Sequence, residues 1–211
     1  MSKPDPSSEF DDWAPDYDQS VIDEAGFPFE GYSTLLKTIV DLCAPHPAAA
    51  VLDLGIGTGN LAQLFESKGC AIWGLDFSVE MLALAQLKLP KAALSRVDLR
   101  SAWPPEFQRH FDFIVSAYTF HHFTLTEKVD LVKRMLSENL APDGRLVIGD
   151  IAFQNAGEED QLRRSLGTQW EQEQYWIADE TAASCRAAGI HATFTRISSC
   201  AGIFQFTLER N

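Results

Sequence analysis

The sequence predicts an α/β fold, a doubly wound and mostly parallel sheet of about seven strands with an antiparallel C-terminal hairpin. Three observations point there. Short apolar runs rich in strand formers (49–54, 70–75, 111–116 and 145–151) alternate with segments of helical periodicity, the pattern of strands buried on both faces by crossover helices. A glycine-rich turn, 55–60, follows directly on the first run and opens a helix. The chain closes on 191–198 and 203–209, which alternate as strands around the hairpin residues 199–202.

Taken in order, residues 1–30 stand apart. They hold nine acidic side chains (Asp5, Glu9, Asp11, Asp12, Asp16, Asp18, Asp23, Glu24 and Glu30) against Lys3 alone. The first eight residues read as a frayed tail. Residues 10–21 read as a short helix whose aromatics, Phe10, Trp13 and Tyr17, fall at i, i+3 and i+7. That stripe either pins the helix to the body or lets it close over a site as a lid. Leu35, Leu36, Ile39, Val40 and Cys43 repeat at helical spacing until Pro45 and Pro47 stop them. Strand 49–54 leads through the glycine turn into a helix bearing Leu61, Leu64 and Phe65, ended by Gly69. Strand 70–75 ends at Asp76, and Ser78 caps a helix carrying Met81, Leu82, Leu84, Ala85 and Leu89. A weaker strand covers 92–97, a fourth covers 111–116, and a helix is expected from about 126 to 140. Pro142-Asp143-Gly144 then turns the chain into a fifth strand, 145–151. Residues 154–176 are polar and helix-prone, with Trp170, Tyr175 and Trp176 among them, and 178–188 form a last helix stopped by Gly189. No repeat or low-complexity linker breaks this pattern, so residues 1–211 read as one domain.

Charge excludes several partners. Seventeen Lys and Arg against thirty Asp and Glu give a net charge of −13 and a pI near 4.7. A polyanion repels nucleic acid and anionic membrane surfaces alike. No apolar run approaches the ~20 residues that span a bilayer. The N-terminus has no apolar segment of signal-peptide type. The four cysteines (Cys43, Cys70, Cys185 and Cys200) form no metal-ligand spacing and read as reduced core thiols. Together these features imply a cytoplasmic protein with a small-molecule partner.

The segment Val51-Leu-Asp-Leu-Gly-Ile-Gly-Thr-Gly-Asn-Leu61 carries the most chemistry. Gly55, Gly57 and Gly59 allow a ligand close approach to the backbone at a helix N-terminus. A dinucleotide site wants its third glycine one residue later, where Asn60 stands. Asp53, two places before Gly55, repels a pyrophosphate but attracts an ammonium or sulfonium. Asp76, twenty-one residues past Gly55, suits the two hydroxyls of a ribose; the alternative is a plain helix cap. As a ribose ligand its side chain points into the cleft and matters little to the ligand-free fold. Asp98-Leu99 suits an adenine, amine at the edge and face against Leu99. The three carboxylates fall at the carboxyl ends of consecutive strands, where open α/β sheets bind ligands.

These residues resemble the class I S-adenosylmethionine-dependent methyltransferases. Residues 53–59 resemble the family's first motif, Asp76 with Phe77 its ribose-holding acidic position, and Asp98-Leu99 its adenine-binding pair. The resemblance implies a Rossmann-like sheet, S-adenosyl-L-methionine as cofactor, and cofactor contacts at Tyr17, Asp53, Gly55, Gly57, Gly59, Asp76, Phe77, Met81, Asp98, Leu99 and Ser116. It also implies that 152–177 is an insertion that builds an acceptor pocket and that the N-terminal segment lies over the cofactor. Residues 10–18 and 117–123 are similar to small bacterial methyltransferases of the YrrT type. His121 and His122, just past the fourth strand, are the candidates for a general base; the alternative is that they pack or cap there. Adjacent histidines lack the i, i+4 spacing of a helical zinc pair, so no metal is expected. Ser-Ala-Tyr-Thr at 116–119 is not the Asp/Asn-Pro-Pro-Tyr of enzymes that methylate adenine or amides, and no Pro-Cys pair is present for cytosine chemistry. The rival functions are a non-catalytic module that binds the same cofactor and a nicotinamide-dependent oxidoreductase, the latter opposed by Asp53 and the early third glycine.

Overall fold

A computed structural model of the chain describes residues 7–22 and 26–209. The tail expected over the first eight residues falls largely outside these, and Ser7 already opens a helix. The elements in chain order are α1 (Ser7–Ile22), α2 (Tyr32–Cys43), β1 (Ala50–Leu54), α3 (Asn60–Glu66), β2 (Ala71–Asp76), α4 (Val79–Lys88), β3 (Ala93–Arg96), β4 (Phe111–Ala117), α5 (Leu125–Arg134), β5 (Leu140–Phe153), α6 (Ala156–Leu166), β6 (Trp176–Ile177), α7 (Ala178–Ala187), β7 (Ile190–Arg196) and β8 (Ala201–Leu208).

The strands lie in the order β3-β2-β1-β4-β5-β8-β7, with the two-residue β6 paired to the end of β5. β1 to β5 pair in parallel, and β8 runs antiparallel between β5 and β7. This is the expected sheet. Its chain moves outward from β1 to β3 and then returns to β4, so the strand order reverses between β1 and β4. A crevice opens at such a switch point, beyond the carboxyl ends of the strands.

β1 is buried along its whole length, and alternate residues enter two cores. Val51, Val115 and Val147 pack under α2 and α3 with Leu35, Ile39 and Phe65. Leu52, Ile114, Leu146 and Ile148 pack with Val129 and Val132 of α5 and Cys185 of α7. The continuous apolar character of these strands therefore reflects burial on both faces.

One boundary differs from expectation. The helix expected over 126–140 is α5, capped by a reciprocal Thr124–Glu127 box, and it ends at Arg134. A π-helical turn, Met135–Asn139, follows. β5 starts as early as Leu140, which pairs with Phe111 across a register shift that accommodates 141–144. Asn139 Nδ2 holds this junction through the carbonyls of Phe107 (3.3 Å) and Arg109 (3.5 Å). These tertiary bonds override the local helical pattern.

Candidate active site

A cavity of about 190 Å³ lies at the switch point, and a trough of about 580 Å³ continues from it along the end of β3. The glycine turn forms its floor. Gly55 and Ile56 donate their amides to the Leu75 carbonyl at 2.7 and 3.0 Å, which ties the turn to β2. Gly55 has φ +66°, and a Cβ there would stand 2.2 Å from Thr119 Oγ1. Gly57 has φ +53° and only open space where a Cβ would be, so its backbone faces the cavity bare.

Asp53 and Asp76 flank this turn. Asp53 is 1 % exposed, and its Oδ2 has no hydrogen-bond partner among the described residues. Burial and the neighbouring Asp76 push its carboxyl well above the usual range, against an opposing bond from the Ala62 amide. Asp76 accepts from the Gly57 amide (2.8 Å) and from the Ser78 amide (2.9 Å). Burial raises its carboxyl too, although these amide bonds pull it down. Asp76 thus lines the cavity and also braces the turn, while the cap of α4 is Ser78. An unpaired buried carboxylate beside a bare glycine backbone suits a cationic, adenosyl-bearing cofactor of the kind the resemblance implies.

Tyr17, Phe77, Met81, His121 and His122 line the same cavity. Asp98 and Leu99 line the trough, where Asp98 accepts from the Arg100 amide at 2.9 Å. Two expected contacts lie elsewhere. Gly59 packs under α4, where a Cβ would stand 2.9 Å from Leu89 Cδ1; its role here is close helix packing. Ser116 is fully buried and donates its hydroxyl to the Leu54 carbonyl at 2.6 Å, which clamps β4 to β1. Its neighbours Ala117, Tyr118 and Thr119 line the cavity instead.

α1 lies across the opening. Asp18 accepts from Thr58 Oγ1 (2.6 Å) and Asn60 Nδ2 (3.0 Å) and pairs with Lys88 at 2.5 Å. Asp11 accepts from Ser78 Oγ at 2.5 Å. Burial opposes the ionisation of Asp18, but the bonds from Lys88, Thr58 and Asn60 hold its carboxyl below the usual range. Trp13 and Phe10 reach the cavity from the same helix, and Phe10 sets its ring edge-on to Phe77 (5.0 Å) and His122 (5.1 Å).

The two histidines separate by environment. His121 Nδ1 stands 2.7 Å from Asp150 Oδ1, and its amide donates to Asp150 Oδ2 at 2.8 Å. Asp150 is fully buried and also accepts from Trp176 Nε1 at 3.2 Å. Burial opposes its charge, while His121 and Lys128 hold it below the usual range. Lys128, itself buried, sits 4.4 Å from the Trp176 ring centroid, and burial pushes its ammonium down to about 8. His122 faces Glu173 at 3.5 Å. The segment 152–177 divides likewise. Glu171, Glu173 and Tyr175 line the cavity, Trp170 stacks on Phe27 at 5.3 Å, and Trp176 is core.

Asp150, Glu171, Glu173, Asp18 and Lys128 carry no assignment from sequence. The rule that singles out Asp76 applies equally to Asp150, a lone carboxylate near the end of a buried strand. The two glutamates had no such signal, because their chain is irregular.

Residues 51–144 match the model of a methyltransferase domain family. An uncharacterized methyltransferase of Oceanobacillus iheyensis is 30% identical over 200 residues, which cover 90% of this chain and 91% of that one. The uncharacterized methyltransferase YrrT of Halobacillus halophilus is 27% identical over 93% and 94% of the two chains. Among solved structures, the DhpI-SAM-HEP complex superposes with a TM-score of 0.71 at 18% identity, over 94% of each chain; that likeness shows the fold. By these likenesses the chain belongs to the class I S-adenosylmethionine-dependent methyltransferases, and S-adenosylmethionine is its cofactor.

Proposed function

We propose that the enzyme methylates a small-molecule acceptor and that His121 is the base that removes the acceptor's proton. The observation that carries this reading is the 2.7 Å contact of His121 Nδ1 with buried Asp150 on the cavity wall. A carboxylate that accepts from Nδ1–H fixes the tautomer, leaves Nε2 as the basic nitrogen and compensates the imidazolium once a proton arrives. When bound, S-adenosylmethionine supplies an electrophilic methyl carbon and a thioether leaving group. In this reading Asp53, Gly55, Gly57, Asp76, Phe77 and Met81 hold its amino-acid and ribose parts, while Asp98 and Leu99 take the adenine. Tyr17 and Trp13 keep water from the transfer. Burial raises the Tyr17 phenol, so this side chain acts as a neutral hydrogen-bonding group.

The concave cavity with α1 across its opening supports a small acceptor, and the net charge of −13 sets the protein against nucleic acid. Among the described residues no helix is long and apolar enough to cross a membrane. Four buried free cysteines fit a reducing, cytoplasmic setting.

An acceptor screen read out as S-adenosylhomocysteine tests the reading. His121→Ala is expected to lower turnover by about 10²–10⁴-fold with the cofactor's Kd unchanged. Wild-type turnover in that variant removes His121 from the mechanism. Tight cofactor binding with no turnover across the screen identifies a binding module instead.

A further inference from the structure

The part of the cavity built by 27–29, 118 and 171–175 is aromatic and acidic. Phe27, Phe29, Tyr118 and Tyr175 present rings, and Glu171 and Glu173 present carboxylates. Among the described residues that line this cavity, none is Lys or Arg. The two arginines of the adjoining trough are engaged elsewhere. Arg100 pairs with Glu127 at 3.0 Å and Asp98 at 3.4 Å, and Arg96 Nε donates to the Phe77 carbonyl at 2.9 Å. His122 holds the Glu173 carboxyl below its usual range against partial burial, so Glu173 is an anion at neutral pH. Its segment is tied beside the base, because the Gln174 amide donates to the His121 carbonyl at 2.9 Å.

An anionic acceptor placed here meets Glu171 and Glu173 with no Lys or Arg on the wall to compensate it, and is repelled. A cation is favoured twice, by the carboxylates and by the electron-rich ring faces. Resting on the methyl-transfer reading above, we infer that the acceptor is an amine, recognised as its ammonium by Glu171, Glu173 and the surrounding rings. The ammonium gives one proton to His121 Nε2, and Asp150 compensates the imidazolium. The freed nitrogen lone pair forms the N–C bond to the methyl carbon as the C–S bond breaks and its electron pair returns to sulfur. The positive charge passes from sulfur to nitrogen, and the His121 proton leaves to water. The methylated ammonium is again a cation suited to the same wall.

The test uses matched sets of probes, the amine, alcohol, thiol and carboxylate of one skeleton, with phenethylamine, phenethyl alcohol, phenylethanethiol and phenylacetate as one set and small aliphatic skeletons as others. S-adenosylhomocysteine and the methylated product are read by mass spectrometry. Methylation of amines, and of none of the carboxylates, is expected. Glu173→Gln and Glu171→Gln are expected to raise the amine's KM, by about 10–100-fold for Glu173, with the cofactor's Kd unchanged. Turnover confined to alcohols, thiols or carboxylates overturns the amine assignment and leaves methyl transfer standing, as does an amine KM indifferent to both substitutions. Cofactor binding without turnover of any probe overturns the methyl-transfer reading, and this inference with it.

Discussion

Asp53 and Asp76 border one cavity and act on the fold in opposite directions. Asp76 spends both oxygens on backbone amides, at 2.8 and 2.9 Å, so its removal orphans the Gly57 and Ser78 donors. Asp76→Ala is expected to weaken cofactor binding by roughly one to two orders of magnitude and to cost the ligand-free protein about 2 kcal/mol. Asp53 has an unpaired buried oxygen and a carboxyl raised well above the usual range by burial and Asp76. The folded state therefore holds this proton after the unfolded chain has released it, and stability falls as pH rises from the ordinary carboxylate range through the raised value. Asp53→Asn removes that penalty, so at neutral pH it is expected to raise the ligand-free Tm while weakening the cofactor. Parallel melting and cofactor titration of the two variants check this contrast; a loss of stability in Asp53→Asn contradicts it. The positions of both carboxylates were legible in the sequence, since each lies at a strand end near the turn. The second duty of Asp76 was not, because nothing in the order of residues shows that its oxygens reach Gly57 and Ser78. The pairing of His121 with Asp150 spans 29 residues and was hidden for the same reason.

α1 was legible as an element, from its aromatic spacing, but its attachment was not. The structure latches it at two places, Asp18 on Thr58, Asn60 and Lys88, and Asp11 on Ser78. Both latches are polar and lie beside the turns that open α3 and α4, whereas Ala14 and Val21 are buried. A polar latch around a ligand site suits a lid that opens from the less stable end of the structure. Amides of residues 10–21 are expected to exchange faster than those of β1 without ligand and to gain protection when S-adenosylhomocysteine binds. Because Asp18 is held below the usual range, its latch is intact above the ordinary carboxylate range and is lost as pH falls through the depressed value. Asp18→Asn should therefore loosen α1 at neutral pH, and deletion of residues 1–20 should weaken cofactor binding while the sheet stays folded. Equal protection in free and bound samples, with a destabilised body on deletion, describes a permanently docked helix.

Across the molecule, what was readable follows burial. β1, β2, β4 and β5 are sandwiched between helices, so their apolar runs stand out. The C-terminal hairpin shows its alternation because β7 is covered less completely. What was hidden depends on distant partners. Residues 154–176 are helix-prone throughout, yet α6 stops at Leu166 and only a 3₁₀ turn, Gly167–Gln169, follows it before the chain turns irregular. Gly167 takes φ +57° after α6, and Gln174 is held irregular by the His121 carbonyl and Lys128 Nζ. That departure from the local preference brings Glu171 and Glu173 to the cavity. The glycine turn was readable as a ligand-binding turn, although not the packing of Gly59 against Leu89, and the proposal for the site depends on it, since Asp53 beside a bare Gly57 suits a cationic adenosyl cofactor better than a pyrophosphate. The most direct measurement is calorimetric titration of one protein sample with S-adenosylmethionine, S-adenosylhomocysteine and NAD. The account predicts saturable heats with the first two and none with NAD, whereas saturation by NAD with no heat from S-adenosylhomocysteine would contradict it.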